Sequence, residues 1–263
     1  MNMLLIIQLF VLTSLILFMF LRSRDRGQVE PVWALWAAFG FGLLALFVSY
    51  IFEFTLLPVE LIGIQYFDGS LPALFQVSLI IGVIEEVVKF LPFALFIYRR
   101  SFFNEHTDGI IYFVLVGLGF GLPENILYTL SNGPEAGAAR LLLTPIFHSA
   151  TTAFAGYYLA RSKVEKRSLV GPIIALTAMI LVHAFYDFGL LSGIAWLAMS
   201  SVITTTAVSA ALFGFATTAK EEDEELGLSA VDGDKICPDC GRLVPKPDEN
   251  CRKCARLIQR GRQ

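Results

Sequence analysis

The chain consists largely of apolar runs about 20 residues long, and that pattern leaves few folds open. A run of roughly 18 or more apolar residues can cross the hydrocarbon of a bilayer as a helix, and inside hydrocarbon every backbone N–H and C=O must find its partner within the protein. The runs predict about seven helices, roughly over 3–21, 32–57, 72–98, 108–130, 140–160, 169–189 and 193–217. With 56% hydrophobic and 16% charged residues, the composition stands away from that of a soluble domain. The expected fold class is all-α, a polytopic transmembrane helical bundle. Met1 to Leu21 lacks the basic flank and small-residue cleavage site of a signal peptide, so it reads as a retained first helix.

Basic residues orient the bundle. Arg22, Arg24 and Arg26 follow the first run, Arg99 and Arg100 the third, and Arg161, Lys163, Lys166 and Arg167 the fifth; the alternate loops hold Arg140 alone. The positive-inside rule puts the N-terminus outside and the C-terminus in the cytosol. Leu57 to Leu71, with Pro58, Gly63, Asp68 and Gly69, reads as an external loop. After Thr218 the composition changes to Lys220-Glu221-Glu222-Asp223-Glu224-Glu225 and then to a Gly/Ser/Asp stretch. The expected organisation is a membrane domain over 1–218, an acidic flexible linker over 219–234 and a small tail over 235–263. The net charge of -3 says little about partners, and nothing in the pattern suggests nucleic acid. The halves of the membrane region show no internal repeat, which disfavours an inverted-repeat transporter.

Charged residues inside these runs are costly unless they are paired or used. Glu85, Glu86 and Lys89 sit in the third run. Lys89 is four residues after Glu85 and three after Glu86, so both carboxylates reach one ammonium on one helix face. Two carboxylates against one ammonium exceed what an ion pair needs, which suits a group that takes and returns a proton. Glu124 and Asn125, after Gly117, Gly119, Gly121 and Pro123, are expected to orient reacting groups or bind water. His148 precedes Ser149, Thr151 and Thr152, whose hydroxyls would hold a substrate backbone. His183 and Asp187 stand at i and i+4, a spacing that lets the carboxylate fix the imidazole tautomer. At 1.5 Å per residue, Glu124, His148 and His183 each fall roughly 10 Å below the outer surface, and Glu85 and Glu86 roughly 20 Å below it; with span ends soft by several residues, the four helices are expected to bring these groups into one layer of the outer half. His106 reads as a surface residue of a cytosolic loop, and Asp108 as an N-cap.

These residues carry a resemblance. Glu85-Glu86-Val87-Val88-Lys89, then Asp108-Gly109 leading to Gly119-Phe120-Gly121-Leu122-Pro123-Glu124-Asn125-Ile126-Leu127-Tyr128, then His148 with Thr151 and Thr152, then His183-Ala184-Phe185-Tyr186-Asp187 resemble the ordered motifs of the PrsW intramembrane proteases. That family is related to the CAAX prenyl protease and bacteriocin-processing superfamily. The resemblance covers about residues 72–190, with Pro123 as a departure where small or apolar residues are more usual. It implies proteolysis of a membrane-anchored substrate, such as a single-span anti-sigma factor cut near its extracytoplasmic side in regulated signalling. Carried over, Glu85 and Glu86 would activate water, while His148 and His183 would stabilise the oxyanion or protonate the leaving amine. Two histidines and a glutamate also suit a catalytic zinc, but the chain has no H-E-x-x-H, and the metal-free version is slightly favoured.

All four cysteines lie in the tail. Cys237-x-x-Cys240 and Cys251-x-x-Cys254 have the spacing of a four-thiolate zinc ribbon, and zinc would supply most of the folding free energy of so small a unit. The tail is expected to dock a cytosolic partner or anionic lipid. Two readings compete with the protease: a proton- or ion-coupled transporter using the buried Glu/His/Asp cluster, and a non-catalytic scaffold recruiting a partner through the ribbon.

Overall fold

A computed structural model describes residues 2–24, 30–57, 70–141, 143–226, 228, 235–236 and 243–244. Their helices are α1 (Met3–Arg24), α2 (Val32–Leu56), α3 (Leu71–Ile97), α4 (His106–Asn132), α5 (Pro134–Arg140), α6 (Leu143–Val164), α7 (Val170–Leu191) and α8 (Ala195–Glu225). Two short strands, β1 (Lys235–Ile236) and β2 (Leu243–Val244), pair antiparallel with Lys235 opposite Val244. The four cysteines and most of the expected external loop lie outside the described residues.

Every predicted run is helical. α1, α2, α4, α7 and α8 are long and apolar enough to cross a membrane. α3 and α6, of 27 and 22 residues, are comparable in length and carry Glu85, Glu86, Lys89 and His148. The short α5 was not anticipated, and it moves the start of the fifth long helix to Leu143. Its signal is Asn132-Gly133-Pro134: Gly133, at φ +88°, ends α4 and precedes α5, and Pro134 opens α5 where no N–H is needed.

α4 is the central helix. Of its apolar stretch 72% is buried within the protein, against 22% for α1, 33% for α2 and α7 and 28% for α8, whose remaining faces are apolar and outward. The core joins Phe90 and Phe93 of α3, Tyr112 and Phe113 of α4, and Ala150, Ala153 and Tyr157 of α6. Glycines let the helix backbones touch, as small residues do where no hydrophobic effect drives association. Gly109 and Gly156 face each other's carbonyls across α4 and α6, and Gly117 lies against the backbone of His148 and Ser149. A Cβ on Gly82 would stand 3.0 Å from the Ile180 carbonyl and 3.2 Å from the Ala184 nitrogen. That close approach of α3 to α7 brings Glu85 and Glu86, one turn on from Gly82, beside His183.

Three sequence expectations change at the opposite end of α4. His106 is fully buried rather than on the surface, with Nδ1 3.0 Å from Asp223 Oδ1. Asp108 is not the N-cap but the third residue of a capping box whose N-cap is Glu105; it accepts from the backbone N–H groups of Asn104 and Glu105. The acidic run does not begin a flexible linker, because α8 continues through Glu225. Asp223, on that last stretch, accepts from the His106 and Thr107 N–H groups and from the Thr107 hydroxyl at 2.7–2.9 Å. An anion at a helix N-terminus satisfies N–H groups that have no partner within the helix, so the end of α8 is fastened to the start of α4.

Candidate functional site

Four helices bring their polar residues to one buried centre. From α3, Glu86 is 1% exposed, and its Oε1 accepts from Lys89 Nζ at 2.6 Å and from Thr151 Oγ1 at 3.2 Å. The same oxygen lies 2.7 Å from Nδ1 of His183 on α7. Lys89 Nζ is also 3.2 Å from Nδ1 of His148 on α6 and 3.6 Å from Glu85 Oε2. His148 Nε2 lies 2.7 Å from Glu124 Oε2 of α4, an ion-pair contact in which neither atom is aligned for a hydrogen bond. Counting from helix ends separated Glu85 and Glu86 from the histidines by about 10 Å of depth. Span ends soft by several residues left one shared layer as the expectation, and the contacts bring the groups together.

Several supporting residues act differently from their sequence reading. Glu86, not Asp187, sits against His183 Nδ1; Asp187 Oδ2 is 3.6 Å from Nε2, on the side of the ring that faces Glu85. Ser149 and Thr152 donate to carbonyls one turn earlier, Pro145 O and His148 O, both at 2.8 Å. Thr151 is committed to Glu86 and His148 O, so these hydroxyls serve the protein itself rather than a substrate backbone. Asn125 donates to Gly121 O at 2.6 Å and accepts from Arg140 Nε at 2.8 Å, which fixes it as a brace within α4 and α5.

Two features escaped the sequence reading. Arg140, at the end of α5, donates to Glu124 Oε1 at 2.6 Å and stacks over Tyr128 at 4.3 Å. Burial opposes its charge, and the adjacent Glu124 carboxylate outweighs that burial and holds the guanidinium above its usual pKa. Its signal in the sequence was to be the lone basic residue among the alternate loops. Glu53 of α2 lies close enough to Asp187, Glu124, His183 and Lys89 to interact electrostatically, and its Oε1 is buried without a hydrogen bond. A single glutamate near the end of an apolar run gave no periodic signal.

The centre holds more carboxyl groups than basic side chains other than histidine: Glu53, Glu85, Glu86, Glu124 and Asp187 against Lys89 and Arg140. Among the described residues, Glu85, His148 and His183 form the one group of three whose donor atoms lie within 4.8 Å of one another. Glu85 and His183 fit a metal, and His148 would complete the set by exchanging one of its two contacts, Lys89 Nζ at Nδ1 or Glu124 Oε2 at Nε2, for the ion. Glu85 Oε2 is buried and makes no hydrogen bond, and its nearest ring nitrogen, His183 Nε2, is 3.6 Å away. Ligand atoms about 2.0–2.1 Å from a tetrahedral zinc stand about 3.3 Å apart. A carboxylate against the far ring nitrogen, as Glu86 is against His183 Nδ1, also accompanies metal-binding histidines.

Comparison with known proteins supplies a family for the chain. The profile described as PrsW family intramembrane metalloprotease matches residues 30–216. The curated Protease PrsW of Bacillus subtilis (strain 168) is 30% identical over 167 residues, covering 63% of this chain and 73% of its own length. Protease PrsW of Geobacillus kaustophilus (strain HTA426) is 31% identical over 175 residues, 66% of this chain and 74% of its own. That of Clostridioides difficile (strain 630) is 29% identical over 195 residues, 71% and 79%. No solved structure matches. The three-donor group and the family's description as metalloproteases make a catalytic metal a reading to set beside the metal-free one that the missing H-E-x-x-H favoured. Five helices among the described residues that are long and apolar enough to cross a membrane, a buried Glu/His centre and a profile spanning residues 30–216 lead to one conclusion: the chain belongs to the PrsW family, as a multi-pass membrane protein and an intramembrane protease.

Proposed function

We propose that the chain is an endopeptidase in which Glu85, His148 and His183 hold a divalent cation, most simply zinc, while Glu86 handles the proton. The observation that carries this reading is the clustering of those three donors within 4.8 Å beside a second, buried glutamate. Zinc held there would supply a Lewis acid for the scissile carbonyl and for the attacking water.

The chain's own residues supply the rest. Glu86 Oε1 is anchored by Lys89, Thr151 and His183, which leaves Oε2 without a hydrogen bond. Oε2 takes the proton from the attacking water and returns it to the leaving amine when the C–N bond breaks. Lys89 Nζ, 2.6 Å from Oε1, holds the carboxylate in place with Oε2 left to act. Glu124, held by Arg140, orients His148, and the surrounding apolar helices limit entry of bulk water. Proton-coupled transport also uses buried Glu, His and Asp groups, but the family match runs against it.

The expected topology supports an outward-facing site: seven spans, α3 and α6 among them, with the N-terminus outside and the C-terminus in the cytosol. The substrate on this reading is a single-span, anti-sigma-factor-like protein cut near its extracytoplasmic side, in regulated proteolysis signalling. Cys237, Cys240, Cys251 and Cys254 hold a structural zinc in the tail, which docks a cytosolic partner.

The test uses the full chain with its four cysteines changed to serine, so that bound zinc reports on the membrane centre alone. One zinc per chain is expected, lost in His148→Ala and His183→Ala. Glu86→Gln should retain zinc and lose cleavage of a membrane-anchored substrate. Cleavage at the wild-type rate by the metal-free protein would sink the cation, and undiminished cleavage by Glu86→Gln would sink the base.

A further inference from the structure

The opening over the reacting centre is lined by carboxyl groups. Glu86, Lys89 and His183 are closed in, their side chains at most 3% exposed, whereas those of Glu85, Glu124 and Asp187 are 12%, 17% and 20% exposed. Glu53 of α2 joins them: the residue is half-buried, and of its two oxygens only Oε1 is enclosed. We propose that Glu53, together with Asp187, receives a basic side chain of the substrate, a lysine or arginine next to the bond that is cut. The inference rests on the protease reading and names the substrate class of that same site.

The packing of α2 on α3 puts Glu53 at that opening. Ala45 and Leu46 pack on Phe120, with Val88 of α3 against them, and further along α2 Leu57 packs on Val77 and Ile81. The two helices therefore run antiparallel along this seam. Tyr50 and Glu53 lie between Leu46 and Leu57, at i+4 and i+7 on one stripe. Glu85 lies between Ile81 and Val88 on the facing stripe of α3. In that register Tyr50 is level with Glu85, and Glu53 stands about one turn nearer the C-terminal end of α2. α7 is also antiparallel to α3, because Phe75 packs on Phe188 while Gly82 approaches Ile180. Asp187 thus stands one turn beyond His183 toward the same end of the bundle, and it is the strongest charged neighbour of Glu53. The two carboxyl groups form a second tier over Glu85 and His183.

The chain offers this tier no cation. Among the described residues neither Glu53 nor Asp187 receives a hydrogen bond, and Asp187 Oδ2 is 3.6 Å from His183 Nε2. Lys89 Nζ is spent on Glu86 and His148, His183 Nδ1 on Glu86, and Arg140 on Glu124 and Asn125. Neighbouring carboxyl groups repel once ionised, and a cation between them favours the ionised form. An ammonium or guanidinium answers both at once, with several donors where a backbone N–H has one. Basic side chains near the end of a membrane span extend along their stems toward the interface, which suits a tier nearer the end of the bundle than the reacting layer. The adjoining substrate backbone then falls one turn deeper, beside Glu85 and His183.

The experiment measures the binding of fluorescent single-span peptides to the full chain in nanodiscs, in a Glu86→Gln background so that turnover does not intervene. The peptides have about 22 leucine and alanine residues, lysines at one end for orientation, and a single lysine, glutamine or glutamate at successive positions of the opposite quarter. At the best position the lysine peptide should bind several-fold more tightly than its glutamine counterpart. Glu53→Gln should erase that difference, and Glu53→Lys should make the glutamate peptide the preferred one, a reversal that a misfolded chain cannot produce. Equal affinity for the lysine and glutamine peptides at every position, or a lysine preference undiminished in Glu53→Gln, overturns the pocket. Cleavage of membrane-anchored substrates is read separately with Glu86 intact. Cleavage without any lysine preference sinks the pocket alone, whereas a Glu53-dependent preference in a chain that cleaves none of them sinks the proteolytic reading alone.

Discussion

Gly121→Ala tests whether His148 is held where the reaction needs it. A Cβ on Gly121 would lie 2.8 Å from His148 Cδ2 and 3.3 Å from its Cβ and Cγ. Carbon atoms rest about 3.5–4.0 Å apart, so the imidazole must withdraw by about 0.7–1.2 Å. It has little room to do so: Lys89 and Glu124 hold its two nitrogens, and the rings of Phe120 and Phe147 pack on it at 5.3 and 5.7 Å. Overpacking of this kind costs about 1–3 kcal/mol of stability, and a misplacement of about 1 Å at a reacting group costs about a hundredfold in rate. Cleavage of a membrane-anchored substrate in proteoliposomes should therefore fall by about two orders of magnitude, with weaker zinc binding in the cysteine-free chain. Gly214→Ala, where the new methyl meets nothing within 4 Å, serves as the control and should be silent. Wild-type cleavage and zinc affinity in Gly121→Ala would show that His148 is either free to move or irrelevant to the reaction.

Lys89→Met should lower stability by about 3–5 kcal/mol, the cost of leaving a buried charge without its partner, since Lys89 and Glu86 are each 1% exposed. Thermal unfolding in detergent reads it, and adding Glu86→Gln should recover part of the loss. Arg140→Ala strips partners from Glu124 and Asn125 and should cost about 2–4 kcal/mol. Arg140→Lys should not restore the stability or the cleavage rate, because one ammonium cannot reproduce the fork that serves both acceptors; full rescue by lysine would contradict the geometry. Asp223→Ala removes three hydrogen bonds at the start of α4 and should destabilise by about 2–4 kcal/mol, with no change in bound zinc at the membrane centre. A chain shortened to Lys220 would lose the same fastening, so cysteine substitution, not truncation, is the sound way to remove the tail's zinc signal.

The sequence alone determined what local chemistry can specify. Apolar runs near 20 residues long dictate helices, because hydrocarbon forbids unpaired backbone groups, and the ionisable residues within those runs announced the centre because burial makes them costly. The i, i+3 and i+4 spacings from Lys89 to Glu86 and Glu85 were legible too, being properties of a single helix. Tertiary structure decided everything that depends on how helices meet. Gly82 lets α3 touch α7, and only that approach makes Glu86, rather than Asp187, the partner of His183 Nδ1. Arg140 and Glu53 join the centre from α5 and α2, and His106 is buried because Asp223 returns to it from more than a hundred residues away. Such contacts leave no period in the chain. They follow from where small residues allow backbones to close, and side chains far apart in sequence then share a distance that only the packed bundle sets.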